Sequence, residues 1–299
     1  MTAQDQTPRT LGREPARPAR GLKFIPALGA LILIGLTLYA SQRFGEPARG
    51  RDRPAQDKEP TPASRAVAAA TKFLDALDET SRAKALLEFD SKKRSGWSNL
   101  PVTMVPRNGV RMGDLTPAQR DAALDLLKAV LSKEGAQKAV DIMNADQTLV
   151  GGKGKGGKKA PAFGNDEYYL AIFGTPSVTT PWLVQFGGHH LGINVTLIGK
   201  ASVLTPTHTG TQPESFQRAG KTVCPLGGEN DKAFKLIAAL DDKQRAQAIL
   251  GPKPRDLILG PGKDGKKIDP QGVKADSFTA EQKAMLLDLI GEWVQTRVG

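Results

Sequence analysis

The feature that most constrains this chain of 299 residues is an internal repeat at an offset of 163 positions. Segments 73–87 and 236–250 align without gaps and are identical at seven of fifteen positions. Segments 115–127 and 278–290 align at the same offset, and each has threonine followed three residues later by glutamine, the capping-box pattern of a helix start. Apolar residues recur in these segments at helical spacing. The repeat therefore predicts two similar helical units.

The region between the repeats, residues 165–226, has the composition of a β-sheet. Its short runs are rich in β-branched and aromatic residues, and turns containing glycine or proline separate them. The runs are 168–173, 182–186, 191–198 and 201–204. Because short turns join antiparallel strands, we predict an α+β fold in one domain, 64–299. Two pseudo-repeated helical halves, 64–150 and 231–299, then flank a central antiparallel β-sheet.

The N-terminal part contains an uncharged apolar run at residues 24–40, preceded by a basic tail, 1–23. The run has about the length that a helix needs to span a bilayer, and the basic tail places the N-terminus in the cytoplasm. The same run fits the apolar region of a cleaved signal peptide. Residues 41–63 are rich in Pro and Arg and predict a flexible linker. The domain is thus expected outside the cytoplasm, either on a single-pass membrane anchor or secreted or periplasmic.

The net charge of +11 does not indicate a nucleic-acid partner. Residues 1–60 hold ten basic against six acidic residues, and residues 151–159 add four lysines and no acid. Charge in a tail and one loop says little about the folded body, and the sequence matches no nucleic-acid-binding motif. The single cysteine, Cys224, excludes an intramolecular disulfide. We expect membrane contact through the N-terminal segment and no nucleic acid, while the oligomeric state is not specified.

Candidate chemistry is concentrated in three histidines, His189, His190 and His208. Imidazoles bind zinc and copper, so these residues are candidate ligands of a divalent metal. They are also candidates for metal-free ligand binding or proton transfer, or for a purely structural role in the sheet. Adjacent strand residues point to opposite faces, so His189 and His190 converge only if Gly187 and Gly188 introduce a bulge or a sharp turn.

Several motifs carry a resemblance to a known family. They are WSNLP at 97–101, RNG at 107–109, GDLT at 113–116, YYLAIFGTP at 168–176, the FGGHHL core within 182–194, and TGTQP at 209–213. In these motifs the chain resembles the bacterial and fungal family catalogued as domain of unknown function 3500, over residues 65–297. The resemblance implies a single domain and marks Arg107, Trp182, His189 and His190 as family positions. It implies no particular activity or cofactor.

These observations predict a ligand- or metal-binding pocket that is a candidate for catalysis. Its candidate ligand-binding residues are His189, His190, Arg107, Trp182, Gln185 and Glu229, and His208 would be a third metal ligand. The guanidinium of Arg107 would suit an anionic small molecule. The alternative is a non-enzymatic envelope or interaction protein in which the two adjacent histidines are structural. The sequence does not specify a reaction.

Overall fold

The computed structural model describes residues 60–152, 162–251, 257–263 and 265–296. The predicted basic tail, the apolar segment 24–40 and nearly all of the predicted linker lie outside these residues. Within them, no helix combines the length and the apolar character needed to cross a membrane. The first described helix begins at Pro62, at the end of the predicted linker.

Helices and short strands together make the described part an α+β fold, which confirms the predicted class. The α-helices are α1 (Pro62–Asp75), α2 (Glu79–Ala85), α3 (Pro117–Val130), α4 (Lys133–Gln147), α5 (Gly227–Ala239), α6 (Asp242–Ala248) and α7 (Ala280–Val294). The strands are β1 (Leu86–Leu87), β2 (Val110–Arg111), β3 (Tyr169–Phe173), β4 (Trp182–Gly188), β5 (Leu191–Ile198), β6 (Ala201–Leu204), β7 (His208–Thr209), β8 (Phe216–Arg218) and β9 (Lys221–Val223).

The predicted capping boxes set the starts of α3 and α7. Thr116 accepts a hydrogen bond from the Gln119 backbone N–H, and the Gln119 side chain accepts one from the Thr116 N–H at 2.9 Å. Thr279 and Gln282 form the same reciprocal pair. Each pair satisfies backbone donors that a helix end leaves without intrahelical partners. Both capping boxes are thus confirmed.

The main sheet has the strand order β1-β3-β4-β5-β6, with β2 also paired to β3 and β7 to β5. Strands β3 to β6 are antiparallel in chain order, as predicted. The sheet is nevertheless mixed, because β1 pairs with β3 in parallel, Leu86 opposite Ile172. The prediction of a purely antiparallel sheet was wrong at this edge. Short turns fix only the pairing of strands that they join, whereas β1 extends α2 and meets β3 across a long sequence separation.

The main core lies between the sheet and the helices α1, α3 and α4. Its fully buried side chains include Phe73, Leu126 and Ile142 from the helices and Trp182 and Phe186 from the strands. Helices α5 to α7 have a smaller core of their own, formed around Leu236, Leu240 and Phe278.

Contacts between the C-terminal helices and the rest of the chain include several on α4. Lys138 of α4 forms an ion pair with Glu229 of α5 at 2.6 Å. The N–H of Ser132, at the start of α4, donates to the carbonyl of Thr296 at 3.1 Å. The arrangement of two equivalent helical halves on either side of the sheet stays a prediction.

Candidate functional site

His189 and His190 form the two-residue turn between β4 and β5, where Gly188 pairs with Leu191. The backbone of His190 has φ +43°, a left-handed conformation that histidine adopts more readily than bulky residues do. Because both histidines lie in the turn, they do not follow the alternation of a strand. Their ring centroids are 4.1 Å apart. The rings converge through a sharp turn formed by the histidines themselves, whereas Gly187 and Gly188, which were expected to introduce it, are paired residues of β4.

The ring of His189 is held by a buried carboxylate. Its Nδ1 lies 2.6 Å from Oδ1 of Asp146, near the end of α4, and the two side chains are only 4% and 2% exposed. A carboxylate accepts but does not donate, so Nδ1 carries the proton of this bond. The other carboxylate oxygen accepts the Gly164 N–H at 2.8 Å. Asp146 is thus anchored by two donors and fixes the orientation of the imidazole.

The second ring nitrogen of His189, Nε2, has no hydrogen-bond partner among the described residues. Phe163 packs on the same ring at 4.8 Å between centroids. An imidazole held at Nδ1 with a free Nε2 can accept a proton or bind an electrophile at Nε2.

The backbone of the turn is clamped by two residues. The hydroxyl of Tyr168 donates to the carbonyl of His189 at 2.8 Å, and Arg107 Nη2 donates to the carbonyl of Gly188 at 2.9 Å. Burial raises the pKa of Tyr168, so its hydroxyl remains a donor. A Cβ on Gly188 would lie 2.9 Å from the Glu167 carbonyl oxygen and from the Tyr168 ring. Only glycine allows this approach, which holds the turn against the start of β3.

His190 and His208 lie around the same turn. Strand β7 pairs with β5, His208 opposite Gly192, and this brings His208 towards His190. Nε2 of His190 is 3.3 Å from the Gln212 side-chain oxygen, and His208 stacks on Trp97 at 6.3 Å. Burial is the main cause that lowers the pKa of both histidines, and a neighbouring histidine lowers each further. Both rings are therefore neutral at pH 7.

The structure does not arrange these histidines as a metal centre. Within the residues described, no group of three or more His, Cys, Asp or Glu side chains is placed to hold a metal ion. Nδ1 of His189 is already bonded to Asp146, which leaves one nitrogen of that ring for a ligand. Metal binding by His189, His190 and His208 stays a prediction.

Arg107 and Gln185 support the hairpin from the other side. They line a cavity of about 10 Å³, room for about one water molecule and too small for a substrate. The terminal nitrogens of Arg107 donate to four backbone carbonyls, those of Ser98, Leu100, Val105 and Gly188. Burial lowers the pKa of Arg107 to about 10. The guanidinium therefore serves as a crosslink of backbone segments in this structure.

Comparison with models of protein families gives a match to the family described as "Protein of unknown function (DUF3500)", over residues 59–297. The chain belongs to this family. The suspected resemblance is confirmed, and the match spans the whole described part of the chain. Neither the curated proteins nor the solved structures that were compared contain a match.

The remaining candidates in the DUF3500 domain lie in other surroundings. Gln185 bonds to Asn108 at 2.8 Å and Asn194 at 2.7 Å within the sheet. Trp182 is buried in the main core and donates from Nε1 to the Ser177 carbonyl. Glu229 lies in the first turn of α5, paired with Lys138. The three histidines thus come together, whereas these three residues have structural partners.

Sequence reasoning missed Asp146, the residue that defines the site. It lies 43 positions before His189, and no motif connects the two. One signal was available in α4, where Ala139, Ile142 and Asp146 follow helical spacing on the buried side. A lone carboxylate on an apolar stripe requires a buried partner, and a histidine is one of few side chains that can supply it.

Proposed function

We propose that the DUF3500 domain binds a small molecule at the β4–β5 turn and transfers a proton at Nε2 of His189. The observation that supports this is the buried 2.6 Å bond between His189 and Asp146, together with the unpartnered Nε2. The carboxylate favours the tautomer with its proton on Nδ1, so the lone pair is at Nε2. It also stabilises the imidazolium that forms when Nε2 takes up a proton.

The neighbouring side chains suit a polar ligand. His190 is a neutral imidazole next to the His189 ring, and it is partly exposed. A neutral imidazole offers one donor and one acceptor, and Gln212 beside it adds an amide. Phe163 and the Trp97–His208 pair supply apolar ring surface nearby. We assign His190 and Gln212 to ligand binding and the aromatic rings to packing around the ligand.

The proposal includes the location and the architecture of the chain. The basic tail and apolar segment 24–40 support a domain held outside the cytoplasm, on a membrane anchor or after signal cleavage. The sequence repeat supports α1–α3 and α5–α7 as two copies of one helical unit, the first beside the site.

The proposal is tested by comparing the wild-type protein with His189→Gln and Asp146→Asn against a library of small polar metabolites. Thermal shift reports binding and mass spectrometry reports turnover. We expect some ligands to raise the Tm of the wild type but not of His189→Gln. Asp146→Asn should bind these ligands and lose turnover, because its side chain no longer holds the Nδ1–H tautomer.

Asp141→Asn is the matched control, since Asp141 is a second buried carboxylate on α4 that bonds to Gln137 and Arg218. It should keep both binding and turnover. If no compound distinguishes the wild type from His189→Gln, and the variant only melts lower, the histidines are structural, as in the alternative of an interaction protein. Stoichiometric metal that is lost in a His189→Ala/His190→Ala variant would replace proton transfer with metal binding.

A further inference from the structure

Several local features of α1–α3 recur in α5–α7 at the 163-residue offset of the sequence repeat. The side chain of Gln119 donates to the carbonyl of Ala76 at 2.8 Å, and that of Gln282 donates to the carbonyl of Ala239 at 2.7 Å. Gly109 and Gly272 both have φ +94°. The two helical units can therefore be compared position by position.

In the first unit, strand β3 runs along the residues that flank the helices. It pairs in parallel with β1, which follows α2, and antiparallel with β2, which precedes α3. Gly109 lies where β3 passes closest, because a Cβ on it would overlap the carbonyl group of Leu170. A glycine with positive φ is thus needed here for β3 to pass.

In the first unit, the residues that precede strand β3 are acidic, and two arginines neutralise their charge. Asp166 and Glu167 lie directly before the strand. Arg120 forms an ion pair with Asp166 at 2.9 Å, and Arg111 pairs with Glu167 at 2.6 Å. These two ion pairs therefore contribute to holding the residues before β3 against the first unit.

In the second unit, none of the residues that the structure describes occupies the position equivalent to this strand. A Cβ built on Gly272 would have no atom of the described part of the chain within 4 Å. Ile249 and Leu250, equivalent to β1, are 59% and 54% exposed. Lys274 and Lys283, equivalent to Arg111 and Arg120, are exposed and form no ion pair with any residue that the structure describes.

The second unit also exposes apolar side chains on α7. Trp293 and Val294 at the end of α7 are 48% and 65% exposed, whereas their equivalents Val130 and Leu131 are buried in the main core. Leu287 is also exposed. Apolar side chains that one unit buries and the other unit exposes point to an interaction site in the second unit.

We propose that the second unit binds an extended segment of another protein at this face, the strand slot, defined by Ile249, Leu250, Gly272, Val273, Lys274 and Lys283. The segment carries two acidic residues followed by a strand of aromatic and aliphatic residues, as residues 166–173 do in the first unit. Addition of a strand to exposed main-chain groups is a common mode of peptide recognition. The two unpaired lysines complement the acidic pair, and they favour this occupant over a purely apolar surface of a second copy.

The test uses a fluorescent peptide with the sequence of residues 165–176, NDEYYLAIFGTP, and the full chain in mild detergent. Fluorescence anisotropy should show saturable binding. The charge reversal Lys274→Glu/Lys283→Glu should weaken it about tenfold, because two exposed attractions become repulsions. Lys266→Glu/Lys267→Glu, which reverses two exposed cations outside the slot, is the matched control and should bind like the wild type.

The decisive arm exchanges the charges. A peptide with Lys-Lys in place of Asp-Glu should bind the Lys274→Glu/Lys283→Glu protein better than the wild type. The proposal is overturned if the original peptide does not bind, or if both double variants bind it equally. It is also overturned if sedimentation shows a dimer that Trp293→Ser abolishes, because a second copy would then cover this face. Binding of the protein to vesicles of anionic lipid through this face, without binding of the peptide, would overturn it as well.

Discussion

Asp146→Ala should be the most destabilising single substitution at the site. The carboxylate accepts from His189 at 2.6 Å and from the Gly164 N–H at 2.8 Å, and it is 2% exposed. Alanine leaves both donors buried without a partner, at about 1–3 kcal/mol each. We therefore expect the free energy of unfolding to fall by about 4 kcal/mol. Asparagine keeps the volume and one acceptor, so its loss should be about half as large, about 2 kcal/mol.

The assay is equilibrium unfolding in guanidinium chloride, followed by tryptophan fluorescence. Asp141→Asn serves as the control, because Asp141 is also buried on α4 but bonds to Gln137 and the half-exposed Arg218. Its loss should stay within about 1 kcal/mol, as for a partly exposed ion pair. The reasoning is refuted if the free energies of unfolding of Asp146→Ala and of this control differ by less than about 1 kcal/mol.

Three further predictions concern the surroundings of the turn. The pKa values of His190 and His208 are lowered in the folded state, so the folded state binds fewer protons than the unfolded state. The Tm should therefore fall as the pH decreases through 6.5, and His190→Asn/His208→Asn should make the Tm less dependent on pH. Arg107→Lys loses several bonds to carbonyls and should cost about 2 kcal/mol in urea unfolding; an unchanged midpoint would contradict its role as a crosslink. Gly188→Ala should lower Tm in calorimetry, since its Cβ would press on the Glu167 carbonyl, and an unchanged Tm would show that the turn shifts freely.

Local sequence patterns predicted much of the fold because they report local interactions. Strands β4 and β5 follow from their β-branched runs, although Gly187 and Gly188, predicted as a turn, continue β4, and α3 and α7 begin at their capping boxes. The parallel pairing of β1 did not follow, because Leu86–Leu87 is two residues long and meets β3 only in the tertiary fold. Pairing over such a distance is decided by packing and leaves no local pattern.

The candidate site was predicted in part for the same reason. Adjacent histidines after Gly-Gly marked the turn, and its geometry brings their rings together. Asp146 reaches the site from a separate helix, so no spacing in the sequence indicated that it would contact His189. Arg107 and Trp182 belong to the family motifs, yet their hydrogen bonds are to backbone carbonyls, which shows that such motifs include structural residues.

The most direct measurement of the central claim is a long-range ¹H–¹⁵N NMR spectrum of the histidine rings of the full chain at pH 7.5. We expect Nδ1 of the His189 ring to carry the proton that is bonded to Asp146 and Nε2 to hold a lone pair. We also expect Asp146→Asn to change this tautomer while Asp141→Asn does not. A His189 ring protonated on Nε2 in the wild-type protein would contradict the central claim, because the nitrogen assigned to proton transfer would then have no lone pair to use.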